Sequence, residues 1–345
     1  MGRQPFRLQS DGTPFLSIFS EGRRGPAGSG GFSGAQVDQI RRTVRHAPEV
    51  MVKVTGGGKT VGAVVAHLAY ISQRGELEIE TDEGQRISKA EQKAALVKDW
   101  HLELTAGQYR KPVEPDKPGR SIKLVHNIVL SMPAPTPPDK VLAAARVFAR
   151  EKFGVKHRYA MALHTHQQHP HVHLVVKAEG IEGRRLHIDK AMLREWREDF
   201  ARMMRDQGIA ANATPRVVRG QSKKGMPPAH YQTQRDGRSY AIRARVESIA
   251  RELKNTGVVR DPSHSKLAET RKAIVAGWKA VADALDAQGE IALAGEVRSF
   301  ATRLPPVLTD RERLAVEFIR HVKAARSARA PVAERVRNRG DELTR

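Results

Sequence analysis

His164-Thr-His166-Gln-Gln-His169-Pro-His171-Val-His173-Leu-Val-Val176 is an alternating apolar run entered through a cluster of histidines. Six of the fourteen histidines fall between His157 and His173. His171 and His173 are two residues apart, so on a strand they face the same side. The preceding Tyr159-Ala-Met-Ala-Leu163 reads as a second strand that ends at His164. The Gln-Gln-His-Pro connection is short enough for a hairpin, so imidazoles from two paired strands can converge. Three imidazoles bind borderline transition metals and leave coordination positions open for substrate. His164, His171 and His173 are therefore the candidate metal ligands. The bland alternative is a set of satisfied polar side chains, with His166 and His169 as turn residues.

Outward from this hairpin, the pattern is one sheet with helices packed on it. Glu49–Thr55 alternates and is β-branched, which predicts a first strand. A helix is expected over about 60–73, a short strand over Glu76–Glu80, and a turn at Asp82-Glu-Gly84. Lys89–Thr105 is a helix candidate and Lys111–Arg120 a Pro-rich charged loop. Ser121–Ser131 is the longest strand signal, and Lys140–Phe153 has helical spacing. Apolar residues at 192, 193, 196, 200, 203 and 204 predict an amphipathic helix over Asp189–Gln207. Residues 240–330 carry only helical periods, broken at Gly289 and Pro305-Pro306. The expected organisation is a flexible basic segment over 1–47, a catalytic domain over 48–220, a basic linker over 221–238 and a helical region over 239–345.

Gly56-Gly-Gly-Lys-Thr60 resembles the end of a phosphate-binding loop. The first glycine of that motif would fall at Lys53, so nucleotide binding is rejected and the glycines are read as a turn.

The 345 residues include 60 Lys and Arg against 38 Asp and Glu, a formal net charge of +22. That excess implies a polyanionic partner, most simply nucleic acid. At 5% aromatic residues, grip by Arg and Lys is favoured over many stacking platforms. No apolar run reaches the roughly 18 residues a membrane span needs. No charged start precedes an apolar stretch, so a secretory leader is not expected. Cysteine is absent, which removes disulfides and thiolate metal sites and fits a cytoplasmic location.

Tyr70 lies at the end of the helix carried by His67-Leu-Ala-Tyr70-Ile-Ser-Gln-Arg-Gly75. An amphipathic tyrosine in a core helix is its bland reading. With five tyrosines in the chain, the choice of a phenol nucleophile is narrow. A free phenol has a pKa of about 10 and attacks poorly at neutral pH without help. A cation beside the phosphate offsets charge and favours phenolate.

Three segments occur here in one order: Tyr70-Ile-Ser-Gln-Arg-Gly75, His126-Asn-Ile-Val-Leu-Ser131-Met-Pro133, and the histidine box 164–173. In this the chain resembles the relaxase/mobilisation nucleases of conjugative plasmids and integrative elements, the HUH-type family that includes the T-DNA border nuclease. Leu186–Lys190, Trp196-Arg-x-x-Phe200-Ala201 and Ala211–Arg216 also look like that family. The resemblance covers about 49–220 and leaves out the tail beyond 230.

The resemblance implies an α+β fold: a central antiparallel sheet of about five strands flanked by helices, followed here by the helical C-terminal region. It implies that Tyr70 attacks a phosphodiester at a transfer origin, forming a 5′-phosphotyrosyl link and a free 3′-OH. Metal on His164, His171 and His173 would polarise the phosphate, and Ser131 would help place DNA at the nick. The implied cofactor is a divalent ion, Mg²⁺ or Mn²⁺ in cells, with Zn²⁺ an alternative that three imidazoles also suit. The implied partners are single-stranded origin DNA, relaxosome accessory proteins and a coupling protein, with no membrane insertion. Members of the family often carry an acidic residue two positions after the first metal histidine or just before His-Pro. His166 and Gln168 stand there instead. Glu78 or Glu80 is then the expected acidic partner of a ligand imidazole, or His166 itself handles the proton.

A rolling-circle replication initiator shares this chemistry, but its histidines usually precede its tyrosine. A non-enzymatic DNA-binding accessory protein and a hydrolase using water as nucleophile are the other rivals.

Overall fold

The computed structural model describes residues 6–8, 14–16, 31–110, 122–221 and 240–329. The chain divides into two compact units, Ile18–Thr214 and Met1–Ser17 together with Pro215–Arg345. Strands β1 (Phe6–Leu8) and β2 (Pro14–Leu16) form an antiparallel pair that belongs to the second unit.

The first unit begins with helix α1 (Gly34–Val44). Its cap is a capping box: the Gln36 amide N–H faces the Ser33 hydroxyl, and the Ser33 N–H donates back to the Gln36 side chain at 2.9 Å. This helix lies within the 1–47 stretch expected to be unstructured, and its Val37, Ile40 and Val44 are buried. Three aliphatic residues spaced on one face suffice to order it. Most of the glycine-rich segment 22–31 lies outside the described residues.

Next come β3 (Met51–Gly56), α2 (Val61–Ile71), β4 (Ile79–Thr81), β5 (Arg86–Ile87), α3 (Ala90–Asp99) and α4 (Leu102–Arg110). The single helix expected over Lys89–Thr105 is two helices, because His101 takes a positive φ of 51° between them. The loop expected at Lys111–Arg120 lies outside the described residues. Then follow β6 (Val125–Ser131), α5 (Pro138–Phe153), β7 (Tyr159–His164), β8 (His171–Lys177) and α6 (Lys190–Asp206). Prolines at the start of α5 suit a first turn whose N–H groups have no intrahelical partner. Asp189 caps α6 by accepting the Met192 N–H at 2.8 Å.

Six strands form one sheet in the order β3-β6-β8-β7-β4-β5, antiparallel throughout. The strand beyond the expected five is β5, two residues that pair with β4. A run that short has no periodicity to read. Strands β8 and β7 occupy the centre and form the hairpin expected from the histidine box.

Period-two alternation then sorts the side chains. Val172, Leu174 and Val176 enter a core with Met161, Ile128 and Leu130, covered by α5 and α6. Phe148, Phe153, Trp196 and Phe200 meet edge to face there, with ring centroids 5.4–6.1 Å apart. Each such burial contributes about 1.5–3 kcal/mol. Val175, Ala160 and Ala162 point the other way, into a core with Leu68, Ile71 and Trp100 under α2 and α3. His171 and His173 share this second face. A one-residue slip would bury them among the phenylalanines, so hydrophobic patterning itself holds the register.

The second unit carries α7 (Tyr240–Thr256), α8 (His264–Ala287), α9 (Ile291–Thr302) and α10 (Asp310–Arg329). Trp278 is its centre: the indole is buried, meets Phe300 at 5.1 Å and donates its N–H to the Val218 carbonyl at 2.8 Å. Gly289 ends α8 at φ 87°, and the Glu290 N–H turns back to the Leu285 carbonyl. Most of the linker expected over 221–238 lies outside the described residues. No described helix is long and apolar enough to cross a membrane.

Candidate metal centre and nucleophile

The hairpin register sets His164 opposite His171 and Ala162 opposite His173. One ring nitrogen from each of His164, His171 and His173 lies within 4.8 Å of the other two. All three side chains are buried. Such a group costs stability unless its polar atoms find partners.

Backbone carbonyls supply two of those partners. His164 Nε2 lies 2.6 Å from the Ile71 carbonyl, and His171 Nδ1 lies 2.9 Å from the His169 carbonyl. A carbonyl only accepts, so those nitrogens carry the protons and the opposite nitrogens keep lone pairs. His164 Nδ1 is buried with no hydrogen-bond partner. Burial lowers the pKa of all three imidazoles, and that of His173, next to His164 and His171, falls to about 3. Neutral imidazoles with inward lone pairs and an orphaned buried nitrogen are the donor set a divalent metal needs.

The acidic partner expected at Glu78 or Glu80 is not at the triad. Glu78 is exposed and pairs with Arg86 at 3.6 Å. Glu80 is held by Arg146, with contacts of 2.6 and 2.9 Å. The two carbonyls do the orienting instead, which a sequence cannot signal because every residue has one.

Tyr70 stands on the last turn of α2, a helix capped by Thr60, whose hydroxyl accepts the Ala63 N–H. The residue is 60% exposed, unlike the buried Leu68 and Ile71 beside it. The ring centroid lies 5.8 Å from that of His173, edge-on, and 6.4 Å from that of His164. Tyr159 is buried in the opposite core and Tyr240 belongs to the other unit. The Tyr109 side chain and Tyr231 lie outside the described residues.

After α2 the chain makes an unusual turn. Gln73, Arg74 and Gly75 have successive positive φ angles of 47°, 61° and 109°. Left-handed non-glycine residues persist only where the surroundings hold them. Ser72 is fully buried, donates to the Ala69 carbonyl, and receives the Lys93 ammonium at 2.6 Å. Gln73 reaches His166, its Nε2 lying 2.7 Å from the imidazole Nδ1. Tyr70, Gln73, Arg74, His164 and His166 together line a pocket at the triad.

His169 turns away from the triad, its Nδ1 accepting the Ala134 N–H at 3.2 Å. Ser131 is buried opposite His171, and its hydroxyl donates to the Pro170 carbonyl at 3.2 Å. Across the sheet, Met51 stands opposite Ser131 and Lys53 opposite Val129, which pairs with His173. Paired residues share a face, so exposed Met51 and Lys53 flank the triad on the edge strand.

Gly57 and Gly58 serve packing. A Cβ on Gly57 would lie 2.3 Å from the Val125 carbonyl, and one on Gly58 would lie 2.6 Å from Val64 Cγ2. Their need is close approach to β6 and α2.

His67 joins the site although its position in the sequence assigns it no role. Its ring stacks on Tyr70 at 5.9 Å with 24° between planes, and meets His173 at 6.3 Å. The i, i+3 spacing on one helix is the signal that could have found it. A second cavity, lined by Asp38, Arg42, Asp199, Arg202 and Asn212 among others, shares no residue with this site.

Residues 70–209 match the relaxase family described as MobA/VirD2-like, nuclease domain. The T-DNA border endonuclease VirD2 of Agrobacterium fabrum is 28% identical over 207 residues, covering 53% of this chain and 43% of that protein. The protein of the same name from Rhizobium radiobacter is 27% identical, covering 53% and 46%. That from Rhizobium rhizogenes is 30% identical over 149 residues, covering 39% and 32%. The match thus spans less than half the length of these relatives. A Mn-bound crystal structure of the MobM relaxase domain with plasmid oriT DNA covers 54% of this chain and 98% of its own. It is 11% identical with a TM-score of 0.34, too low to bear on the fold. Over residues 70–209 the chain is thus similar to the MobA/VirD2-like relaxase nuclease domain, and its histidine triad can hold a metal.

Proposed function

We propose that this chain nicks and rejoins one DNA strand at a transfer origin through a 5′-phosphotyrosyl intermediate on Tyr70, starting conjugative DNA transfer. The observation that carries the reading is an exposed tyrosine ring set edge-on, 5.8 Å by centroids, to a buried histidine triad. The relatives' name, T-DNA border endonuclease, supports a border or origin sequence as substrate.

In the proposed reaction Tyr70 Oη attacks the scissile phosphorus. The P–O3′ bond breaks, the 5′-phosphate stays on the tyrosine, and the departing 3′ oxygen takes a proton from solvent water, which is made good by the one the phenol releases. The phenol proton passes to His166, which lines the same pocket. The Gln73 amide N–H donates to His166 Nδ1, so the neutral ring carries its own proton on Nε2 and Nδ1 is its basic atom, which takes the phenol proton once Gln73 swings off it. Held by His164, His171 and His173, a divalent ion, Mg²⁺, Mn²⁺ or Zn²⁺, would offset the phosphate charge. Ser131 braces the hairpin through Pro170, and the strand runs over the open edge at Met51 and Lys53. Phosphoryl transfer needs this positioning more than further covalent chemistry. Ester exchange conserves the bond, so rejoining needs no ATP. Relaxosome accessory proteins and a coupling protein are the proposed partners.

The test is denaturing electrophoresis with single-stranded origin DNA and a divalent metal. A protein–DNA species surviving SDS is expected, and Tyr70→Phe abolishes it with little loss of affinity. An adduct on Tyr109, Tyr159, Tyr231 or Tyr240 would overturn the assignment. Nicking without any adduct would point to a hydrolase, and binding without nicking to an accessory protein.

A further inference from the structure

We infer that His67 is a positioning residue for the nucleophile: its imidazole is the shelf on which the Tyr70 ring lies, holding the phenol against the triad. The inference rests on Tyr70 being the nucleophile proposed above.

Tyr70 has a specific difficulty. At 60% exposure on the last turn of α2, its ring has no core to lock it, and staggered rotamers pointing into solvent remain open to it. A nucleophile that wanders between rotamers spends little time at attack geometry, and small misplacements cost large factors in rate. His67 lies one turn earlier on the same helix face. Its ring is near-parallel to that of Tyr70, at 24° and 5.9 Å. His173 meets the same tyrosine ring perpendicularly at 5.8 Å, and His67 and His173 meet each other at 6.3 Å and 70°. The three rings close a corner: one flat wall from the helix and one edge wall from the central strand. The phenol is thereby confined by ring contacts, with no hydrogen bond to its hydroxyl among the described residues.

His67 is outside the metal-ligand group, which contains only His164, His171 and His173 among the described residues. The role is therefore one of shape and stacking, and an aromatic ring of another kind should supply it.

The experiment uses the full chain as wild type, His67→Ala, His67→Phe and Tyr70→Phe, each checked for fold by circular dichroism. Adduct formation is followed in single turnover with origin DNA. Mn²⁺ and DNA affinities are measured separately. The Tyr70 ring is followed by ¹⁹F NMR of 3-fluorotyrosine-labelled protein, its resonance assigned through Tyr70→Phe. In His67→Ala we expect adduct formation about tenfold slower, the scale of one aromatic contact. Mn²⁺ and DNA affinities should stay within about twofold of wild type, far less than loss of a metal ligand would cost. The Tyr70 resonance should move towards that of free fluorotyrosine. His67→Phe should restore rate and resonance. The inference is overturned if His67→Ala changes neither, if it abolishes Mn²⁺ binding, or if His67→Phe behaves like His67→Ala. If the wild type itself gives no adduct, the nicking reading fails, and the ¹⁹F resonance still decides whether His67 holds the ring.

Discussion

His164 Nε2 lies 2.6 Å from the carbonyl of Ile71, the residue that follows Tyr70. One hydrogen bond thus joins a metal-ligand candidate on the central hairpin to the end of the helix that carries Tyr70. It fixes the imidazole tautomer and the distance between the two halves of the site together. The bond uses a backbone carbonyl, so no side-chain substitution at position 71 removes it directly.

The triad should respond unequally to alanine. His171→Ala and His173→Ala should each remove most metal binding and nicking, because a three-ligand site loses its geometry with one ligand. Mn²⁺ should raise Tm in the wild type and not in these variants. His169→Ala should be milder: its ring bonds Ala134, and its backbone carbonyl, which orients His171, survives the change. Calorimetry giving equal losses for all three would contradict the arrangement.

Lys53 offers a test of the DNA path that does not depend on cleavage. If it neutralises one phosphate beside the triad, Lys53→Met should lower the salt dependence of single-strand binding by about 0.7 log units per decade. A slope identical to wild type in a salt titration would move the strand elsewhere.

The helical region carries Arg243, Arg245, Arg251 and Lys254 on α7. Replacing these four by Gln should flatten the same salt slope by about 0.7 for each phosphate no longer neutralised, while cleavage at saturating DNA persists. An unchanged slope would leave protein docking as the better role for this helix.

Acidification should destabilise the metal-free protein in a defined window. Burial, with Lys123 nearby, lowers the His126 pKa from 6.5 to about 4. Above 6.5 the ring is neutral in folded and unfolded chains, and stability is flat with pH. As pH falls from 6.5 to about 4 the unfolded chain takes the proton first, so stability falls. Below that no more is lost through this group. His126→Asn should shallow the fall of Tm across that range, and an identical pH profile would show that His126 is not responsible.

The particulars divide along physical lines. Alternation in 159–176 carried the hairpin, and 3.6-residue spacing carried α6 and the helical region, because local periodicity is written in consecutive residues. The convergence of His164, His171 and His173 was readable for the same reason: hairpin pairing makes a sequence pattern into a spatial one. Two features escaped: α1, which follows the glycine-rich stretch 22–31 and was read together with it, and the two-residue β5, which is too short to show a period. Contacts between distant segments were decided by the fold alone. Glu78 and Glu80 carry the right chemistry to orient an imidazole, yet packing gives them to Arg86 and Arg146. Ile71 and His169 do the task with carbonyls that no residue name reveals. What the amino-acid sequence alone determined is which groups are present and which face each takes on its own element. Tertiary structure alone decided which of them meet, because that depends on how α2 lies on β7 and β8 and on which buried polar atoms find partners there.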